Sequence, residues 1–133
     1  MFSYFTTNEA NHVLPDVIKK FEFALAKKNE VSKIEQELQM SLETTNSFEA
    51  YVLLKQKLNS AMTQFYGAVE VLENTGVVVK SIEQGLLDFP SKRFNEEVWL
   101  CWKYGEIEIK FWHEKDSGFM GRKPIEVSDE SLI

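Results

Sequence analysis

The chain has a single cysteine and no long apolar run, and each shortage excludes a class of protein. Cys101 is the one cysteine among 133 residues, so no disulfide can form within the chain. Small secreted domains are usually held together by disulfides, and we therefore expect a protein of the reducing cytoplasm. No stretch approaches the roughly 18 apolar residues of a membrane helix, and the N-terminus lacks the features of a signal peptide.

Basic residues are also too sparse to suit a nucleic-acid partner. The net charge is −6, from 15 basic and 21 acidic residues, and no basic run exceeds two residues. Phosphate backbones repel a protein of this sign unless it carries a local basic patch. The sequence therefore predicts neither nucleic acid nor a membrane as a partner.

The composition is that of one folded domain. Apolar residues make up 44% of the chain and charged residues 27%, which is ordinary for a globular protein. We expect a single α+β domain over residues 1–133. It should comprise a long antiparallel helical hairpin (1–75), a small antiparallel sheet (76–114) and a loop with a tail (115–133).

Helical periodicity begins near the N-terminus. Thr6 and Glu9 have the spacing of a capping box, in which each side chain binds the backbone amide of the other residue. Apolar residues then recur at three- and four-residue steps to about Leu42. Pro15 interrupts this stripe, and we expect it to kink the helix or to restart it.

A second helix follows a short turn. Asn46 and Glu49 repeat the capping-box spacing, a long apolar stripe follows, and Gly76 is a natural stop. A short turn forces the two helices to lie antiparallel. The lower half of the first helix offers few apolar residues to cover the second stripe, so we expect a homodimer that packs through the helices.

The periodicity changes to that of strands after Gly76. A β-branched run at 77–79 opens a strand, residues 83–85 form a turn, and the return strand ends at Pro90. This pairing places Lys80 opposite Asp88, which is a favourable cross-strand pair.

A second hairpin is predicted around Tyr104-Gly105, and the sheet should then contain about four strands. Pairing Lys103 with Glu106 places six apolar residues on one face, as the pairs Trp102–Ile107, Leu100–Ile109 and Val98–Phe111. The other face then carries the pairs Cys101–Glu108, Trp99–Lys110 and Glu97–Trp112. A slip of one residue would mix the faces, which favours this register.

Several short motifs resemble an uncharacterised family. They are Gly85-Leu86-Leu87-Asp88-Phe89-Pro90, Leu100-Cys101-Trp102, Gly105-Glu106, Trp112-His113-Glu114, Gly118-Phe119, Gly121-Arg122 and Pro124-Ile125, with Tyr4-Phe5-Thr6, Glu9-Ala10-Asn11 and Leu14-Pro15 at the N-terminus. Together they resemble domain of unknown function 2203, a family of small bacterial and archaeal proteins, over residues 4 to about 125. The resemblance implies a compatible fold and no activity, and it includes His113 among the motif positions.

His113 is the first candidate for a functional residue. It falls at the end of the predicted core face, with Glu96 as its cross-strand neighbour. A histidine there can act as a general base or a metal ligand. The favoured interpretation is structural, with the imidazole bound to Glu96 or to a backbone carbonyl.

We expect no metal ion and no cofactor. His113, Glu114 and Asp116 are possible ligands, but adjacent strand residues point to opposite faces, and no second histidine has ligand spacing. Cys101 lies opposite Glu108 in the predicted register, and a carboxylate raises the pKa of a thiol. A catalytic cysteine is therefore not expected.

The loop at 118–123 and two tryptophans complete the candidates. Two glycines with Arg122 and Lys123 can present amides and cations to a small anionic ligand, although loop glycines more often serve turns. Trp99 and Trp112 either cover neighbouring elements or form an exposed aromatic contact patch.

Two hypotheses about function follow from these residues. The first is a non-enzymatic binding or protein-interaction module of the cytoplasm. The alternative is a small enzyme with a site around His113, Glu114 and Arg122. A single pocket lined by these three residues and Asp88 would favour the enzyme, whereas scattered side chains would favour the module.

Overall fold

The computed structural model describes residues 3–44 and 47–126, which form a helical hairpin followed by a five-stranded antiparallel sheet. The elements are α1 (Thr7–Thr44), α2 (Phe48–Glu73), β1 (Val78–Ser81), β2 (Leu86–Arg93), β3 (Glu96–Lys103), β4 (Phe111–Glu114), a 3-10 helix (Phe119–Gly121) and β5 (Lys123–Pro124). The strands lie side by side in chain order. The α+β class is confirmed, with one strand more than expected. No helix in the described ranges combines the length and apolar character needed to cross a membrane.

Helix α1 begins at the predicted capping box. The hydroxyl of Thr6 accepts a hydrogen bond from the Glu9 amide, and the Glu9 carboxylate accepts one from the Thr6 amide, both at 3.0 Å. The predicted restart at Pro15 is wrong, because one helix continues through it. The carbonyl that loses its helical donor is that of Asn11, four residues earlier, which is half-buried.

Ser47 caps the N-terminus of helix α2, and its hydroxyl accepts a hydrogen bond from the Ala50 amide at 3.2 Å. The predicted cap, Asn46, lies outside the described residues. The helix ends at Glu73, and Gly76 follows with a φ of 102°. Since only glycine adopts this conformation without strain, the predicted stop is confirmed.

The main core lies between α1 and one face of the sheet, which we call the inner face. Its members are buried apolar side chains from α1, α2 and the strands: Ala10, Leu14, Val17, Phe21, Ala24, Ala68, Leu72, Leu87, Phe89, Leu100, Trp102 and Trp112. A separate small core of Ile34, Leu58 and Ala61 lies further along the hairpin. The sheet therefore supports only the first part of α1 and the last part of α2, and not the tip of the hairpin.

Strand β2 continues past Pro90, where we expected it to end. Its carbonyl accepts a hydrogen bond from the Phe5 amide at 2.7 Å, on the side where β1 has already stopped at the Val78–Asp88 pair. No strand pairs with β2 on that side at this position, so a proline without an amide hydrogen costs the sheet no hydrogen bond here. The strand then turns at Phe94 and Asn95, both with positive φ, into β3. This two-residue hairpin was not predicted.

The predicted register of β3 with the following strand is wrong by three residues. Leu100 pairs with Trp112 instead of Ile109, and Trp99 pairs with His113. An odd shift exchanges the faces, so Trp112 joins the inner face and His113 moves to the opposite, outer face. The cause is a longer loop at 104–110, in which the Glu106 carbonyl accepts from the Trp102 indole at 2.8 Å.

The β1–β2 pairing also differs from the prediction. Val78, and not Lys80, lies opposite Asp88, and the register is irregular between Val79 and Ser81. The ammonium of Lys80 nevertheless approaches to 3.9 Å of the Asp88 carboxylate.

Two glycine substitutions should have opposite effects on stability. In Gly85→Ala the new Cβ would lie 2.5 Å from Tyr104 Cβ, at a φ of 69°, and we expect a loss of about 1–3 kcal/mol in the free energy of unfolding. In Gly67→Ala no atom lies within 4 Å of the new Cβ, and a better helix former should add about 0.5–1 kcal/mol. Urea denaturation measures both, and a Gly85→Ala variant as stable as wild type would contradict the proposed clash.

Candidate functional site

Three polar side chains meet on the outer face of the sheet. Asp88 in β2 lies directly opposite Cys101 in β3, and His113 in β4 pairs with Trp99, two residues before Cys101. Alternate strand residues share a face, so all three point away from the helices. Each is 2% exposed, and His113 Nε2 lies 3.0 Å from Asp88 Oδ2.

Both ring nitrogens of His113 have partners. Nδ1 lies 2.9 Å from the Glu114 carbonyl oxygen. A carbonyl only accepts, so Nδ1 carries a hydrogen and Nε2 faces the Asp88 carboxylate. The predicted partner Glu96 is exposed and pairs with Arg93 in the β2–β3 hairpin. The imidazole thus binds a backbone carbonyl, as the structural interpretation expected, but its acid is Asp88.

Burial and the neighbouring His113 and Lys80 shift the pKa of the Asp88 carboxyl in opposite directions. Burial raises the pKa of the Asp88 carboxyl, while His113 and then Lys80 counteract the rise. Lys80 lies at the rim of the site, with its ammonium 4.4 Å from the centre of the Trp99 ring. A buried carboxyl and an imidazole at hydrogen-bond distance hold one proton between them.

Cys101 is adjacent to this pair, and not to Glu108 as predicted. Its cross-strand neighbours are Asp88 on one side and Phe111 on the other. Burial, followed by the charge of Asp88, raises the pKa of the Cys101 thiol to about 12. The thiol is therefore protonated at neutral pH, which makes it a poor nucleophile.

A cavity of about 140 Å³ adjoins the three side chains. It lies between the sheet and the loop that follows β4, and it has room for a few water molecules or a small ligand. The residues that line it are Lys80, Leu86, Asp88, Cys101, His113, Ser117, Gly118 and Phe119.

Glu114 and Arg122 are not among the residues that line this cavity. Glu114 is exposed and forms an ion pair with Lys123 at 2.7 Å. The Arg122 guanidinium binds Glu106 at 2.6 Å, with its central carbon 3.9 Å from the centre of the Phe111 ring. Both cations of the predicted anion loop are thus already paired with carboxylates.

The two tryptophans are buried on opposite faces of the sheet. Trp99 and Trp112 are each 7% exposed, so of the two alternatives left open by the sequence, the exposed aromatic patch is excluded. Trp99 lies on the outer face beside Lys80, and Trp112 lies on the inner face against Arg93 and Lys123. Asp116, the third predicted metal ligand, is exposed on the loop.

Comparison with known families agrees with the resemblance found in the motifs. Residues 3–125 match the family described as an uncharacterized conserved protein, DUF2203. The chain belongs to the DUF2203 family. The three strands that carry Asp88, Cys101 and His113 lie within the region shared with this family. No curated protein and no solved structure matches the chain.

Sequence reasoning found two members of the site of this DUF2203 chain and missed two. Asp88 and His113 were candidates, whereas Cys101 was set aside because the predicted register placed it opposite Glu108. Lys80 was predicted beside Asp88 but was not treated as part of a site. One signal was available, since Asp88 stands within an otherwise apolar run and needs a buried partner.

Replacing His113 should destabilise the protein. His113→Ala removes the imidazole that binds the buried Asp88 carboxyl and the Glu114 carbonyl, and we expect a loss of about 1–3 kcal/mol in the free energy of unfolding. The control is His12→Ala, because the only other histidine is exposed on α1 and should stay within about 0.5 kcal/mol of wild type. Thermal melts compare the two, and equal stability of both variants would show that the buried contacts contribute little.

The Cys101 thiol should be inert in the native protein. Its 2% exposure denies access, and its pKa of about 12 leaves almost no thiolate at neutral pH. A colorimetric disulfide reagent should react only after urea unfolds the chain. Rapid reaction of native protein would contradict both the burial and the protonation state.

Proposed function

We propose that the chain is a non-enzymatic interaction module of the cytoplasm that forms a homodimer through its distal hairpin. We define the distal hairpin as residues 27–44 of α1 and 47–62 in and before α2. The supporting observation is a concentration of exposed large apolar side chains towards the tip of this segment. They are Met40, Leu42, Phe48, Tyr51 and Leu53, with exposures from 36% to 76%.

The distal hairpin has little apolar support of its own. Ile34, Leu58 and Ala61 are its fully buried residues, with Val31, Leu38 and Met62 packed against them in part. Two helices share a single seam, and a further layer is needed to cover the sides of that seam. A second copy of the hairpin supplies such a layer and produces a four-helix bundle. Clusters of exposed apolar residues mark interaction surfaces of this kind.

Charge favours a second copy as the occupant of this surface. Five lysines and five glutamates lie between residues 27 and 62, so the segment carries no net charge, whereas the whole chain carries −6. Two distal hairpins therefore meet without net repulsion and can exchange ion pairs. The single cysteine, which is buried and free, is compatible with a reducing compartment.

The alternative of a small enzyme rests on the buried Asp88–His113 pair beside a cavity. An acid-oriented histidine is a common general base. Here, however, the Glu114 carbonyl and Asp88 occupy both ring nitrogens, and the neighbouring thiol is protonated. Glu114 and Arg122, the other residues of the enzyme hypothesis, pair with Lys123 and Glu106 away from the cavity. These contacts favour binding over acid–base chemistry.

Light scattering coupled to size exclusion tests the homodimer. At tens of micromolar we expect twice the chain mass of 15.5 kDa. Phe48→Lys should shift the protein to monomer, because it places a charge within the apolar surface. The control is Ile107→Lys in the loop between β3 and β4, where the residue is 88% exposed and outside the distal hairpin. A wild-type monomer at this concentration, or equal behaviour of the two variants, would reject the proposal.

A further inference from the structure

We infer that Asp88, Cys101 and His113 form a binding site for a zinc-class divalent cation, with an open coordination position that faces the cavity. Each side chain offers one ligand atom, and these atoms lie within 4.8 Å of one another. Ligand atoms around a tetrahedral zinc ion are about 3.5 Å apart, as follows from bond lengths of about 2.0–2.3 Å. Small side-chain rotations therefore suffice to bring the three atoms around one ion.

His113 already has the orientation of a metal ligand. Its Nδ1 hydrogen is donated to the Glu114 carbonyl at 2.9 Å, which directs the Nε2 lone pair towards Asp88 and the cavity. Metal-bound histidines characteristically donate their other ring nitrogen to a carbonyl or carboxylate in this way. The backbone contact also limits rotation of the ring, so the side chain loses little conformational entropy when it binds an ion.

The three side chains come from adjacent strands and are held in place. Asp88 and Cys101 form a direct cross-strand pair in β2 and β3, and His113 lies diagonally across from Cys101 in β4. All three are buried, with apolar neighbours Leu86 and Phe119 beside them. Ligands on a rigid sheet retain their mutual geometry better than ligands on loops.

Charge balance is compatible with an ion at this buried position. A divalent cation would displace the proton shared by Asp88 and His113 together with the thiol proton of Cys101. The product is a carboxylate, a thiolate and a neutral imidazole around a dication, and its net charge is zero. Burial of a neutral cluster costs far less than burial of an isolated charge. Lys80, 3.9 Å from Asp88, then favours an anion or hydroxide in the remaining position.

The ligand set selects the type of ion. One sulfur, one nitrogen and one oxygen suit zinc or cobalt, whereas magnesium and calcium prefer oxygen ligands throughout. Three protein ligands leave a fourth tetrahedral position. That position opens to the cavity of about 140 Å³, where Ser117 and Gly118 form part of the wall. The sequence predicted no metal because His113 and Glu114 point to opposite faces and no second histidine has ligand spacing. The predicted register placed Cys101 beside Glu108, so Cys101 was not considered as a ligand.

Cobalt titration of the metal-free, full-length protein tests the inference. We expect one equivalent to produce the near-ultraviolet thiolate-to-cobalt absorption band, and one equivalent of zinc to abolish it. Cys101→Ser should remove the band and weaken zinc binding, measured against a fluorescent zinc indicator, by at least about tenfold. His12→Gln is the control, because it removes the exposed histidine, and it should retain both signals.

A measurement on the wild-type chain covers the case in which Cys101→Ser fails to fold. Zinc-edge X-ray absorption should show one sulfur and lighter N/O ligands. Coordination without sulfur, absence of the cobalt band, or a band that persists in folded Cys101→Ser would each overturn the site. The site lies within one chain, so its failure would be distinguishable from failure of the homodimer.

Discussion

Burial of β2 and β3 on both faces is the constraint on which the rest of the structure depends. Residues 87–91 and 98–102 are buried without interruption. Helix α1 covers the inner face, with Phe21 stacked edge-on against Trp102 at 5.3 Å between ring centres. On the outer face, the segment after β4 places Phe119 and Arg122 over the sheet. At the edge of β2, the Phe5 amide binds the Pro90 carbonyl, and the Phe5 ring packs against Phe89 on the inner face. A strand that is covered twice cannot leave a polar side chain unpaired.

This constraint explains why the polar groups of the outer face occur together. Asp88 needs a partner because it is only 2% exposed, and His113 provides that partner from the next strand but one. Ser91 follows the same rule on the inner face, where it is fully buried and donates its hydroxyl hydrogen to the Phe5 carbonyl at 2.7 Å. The loop after β4 covers the Asp88–His113 pair incompletely, and the cavity results. The same arrangement that satisfies the buried groups thus brings Cys101 within reach of two further metal-ligand types.

The helical hairpin follows a different rule, because it extends beyond the sheet that supports it. Close to the sheet, α1 buries a continuous stripe from Ala10 to Ala24. Further along, the helices bury mainly small or isolated apolar residues, and large ones remain exposed near the tip. Helical periodicity persists over this part although its core is thin. The sheet end and the tip therefore suit different roles, the first a small-ligand site and the second contact with another chain.

Local physics determined much of the fold. The capping box of Thr6 and Glu9, the apolar period of the helices and the stop at Gly76 depend on neighbours a few residues apart, and the sequence predicted each of them. The α+β class followed from the same local patterns, whereas the family was identified from the resemblance of the short motifs and the match over residues 3–125. Strand register did not follow from local patterns, because the indole of Trp102 binds the Glu106 carbonyl and the Ile109 amide binds the Asn11 side chain from α1. These contacts hold a longer loop between β3 and β4, and the alternation of polar and apolar residues does not predict them. Side chains alternate between the two faces of a strand, so a register shift of three residues exchanges the faces of β4. Only the tertiary structure could therefore place His113 beside Asp88 and Cys101.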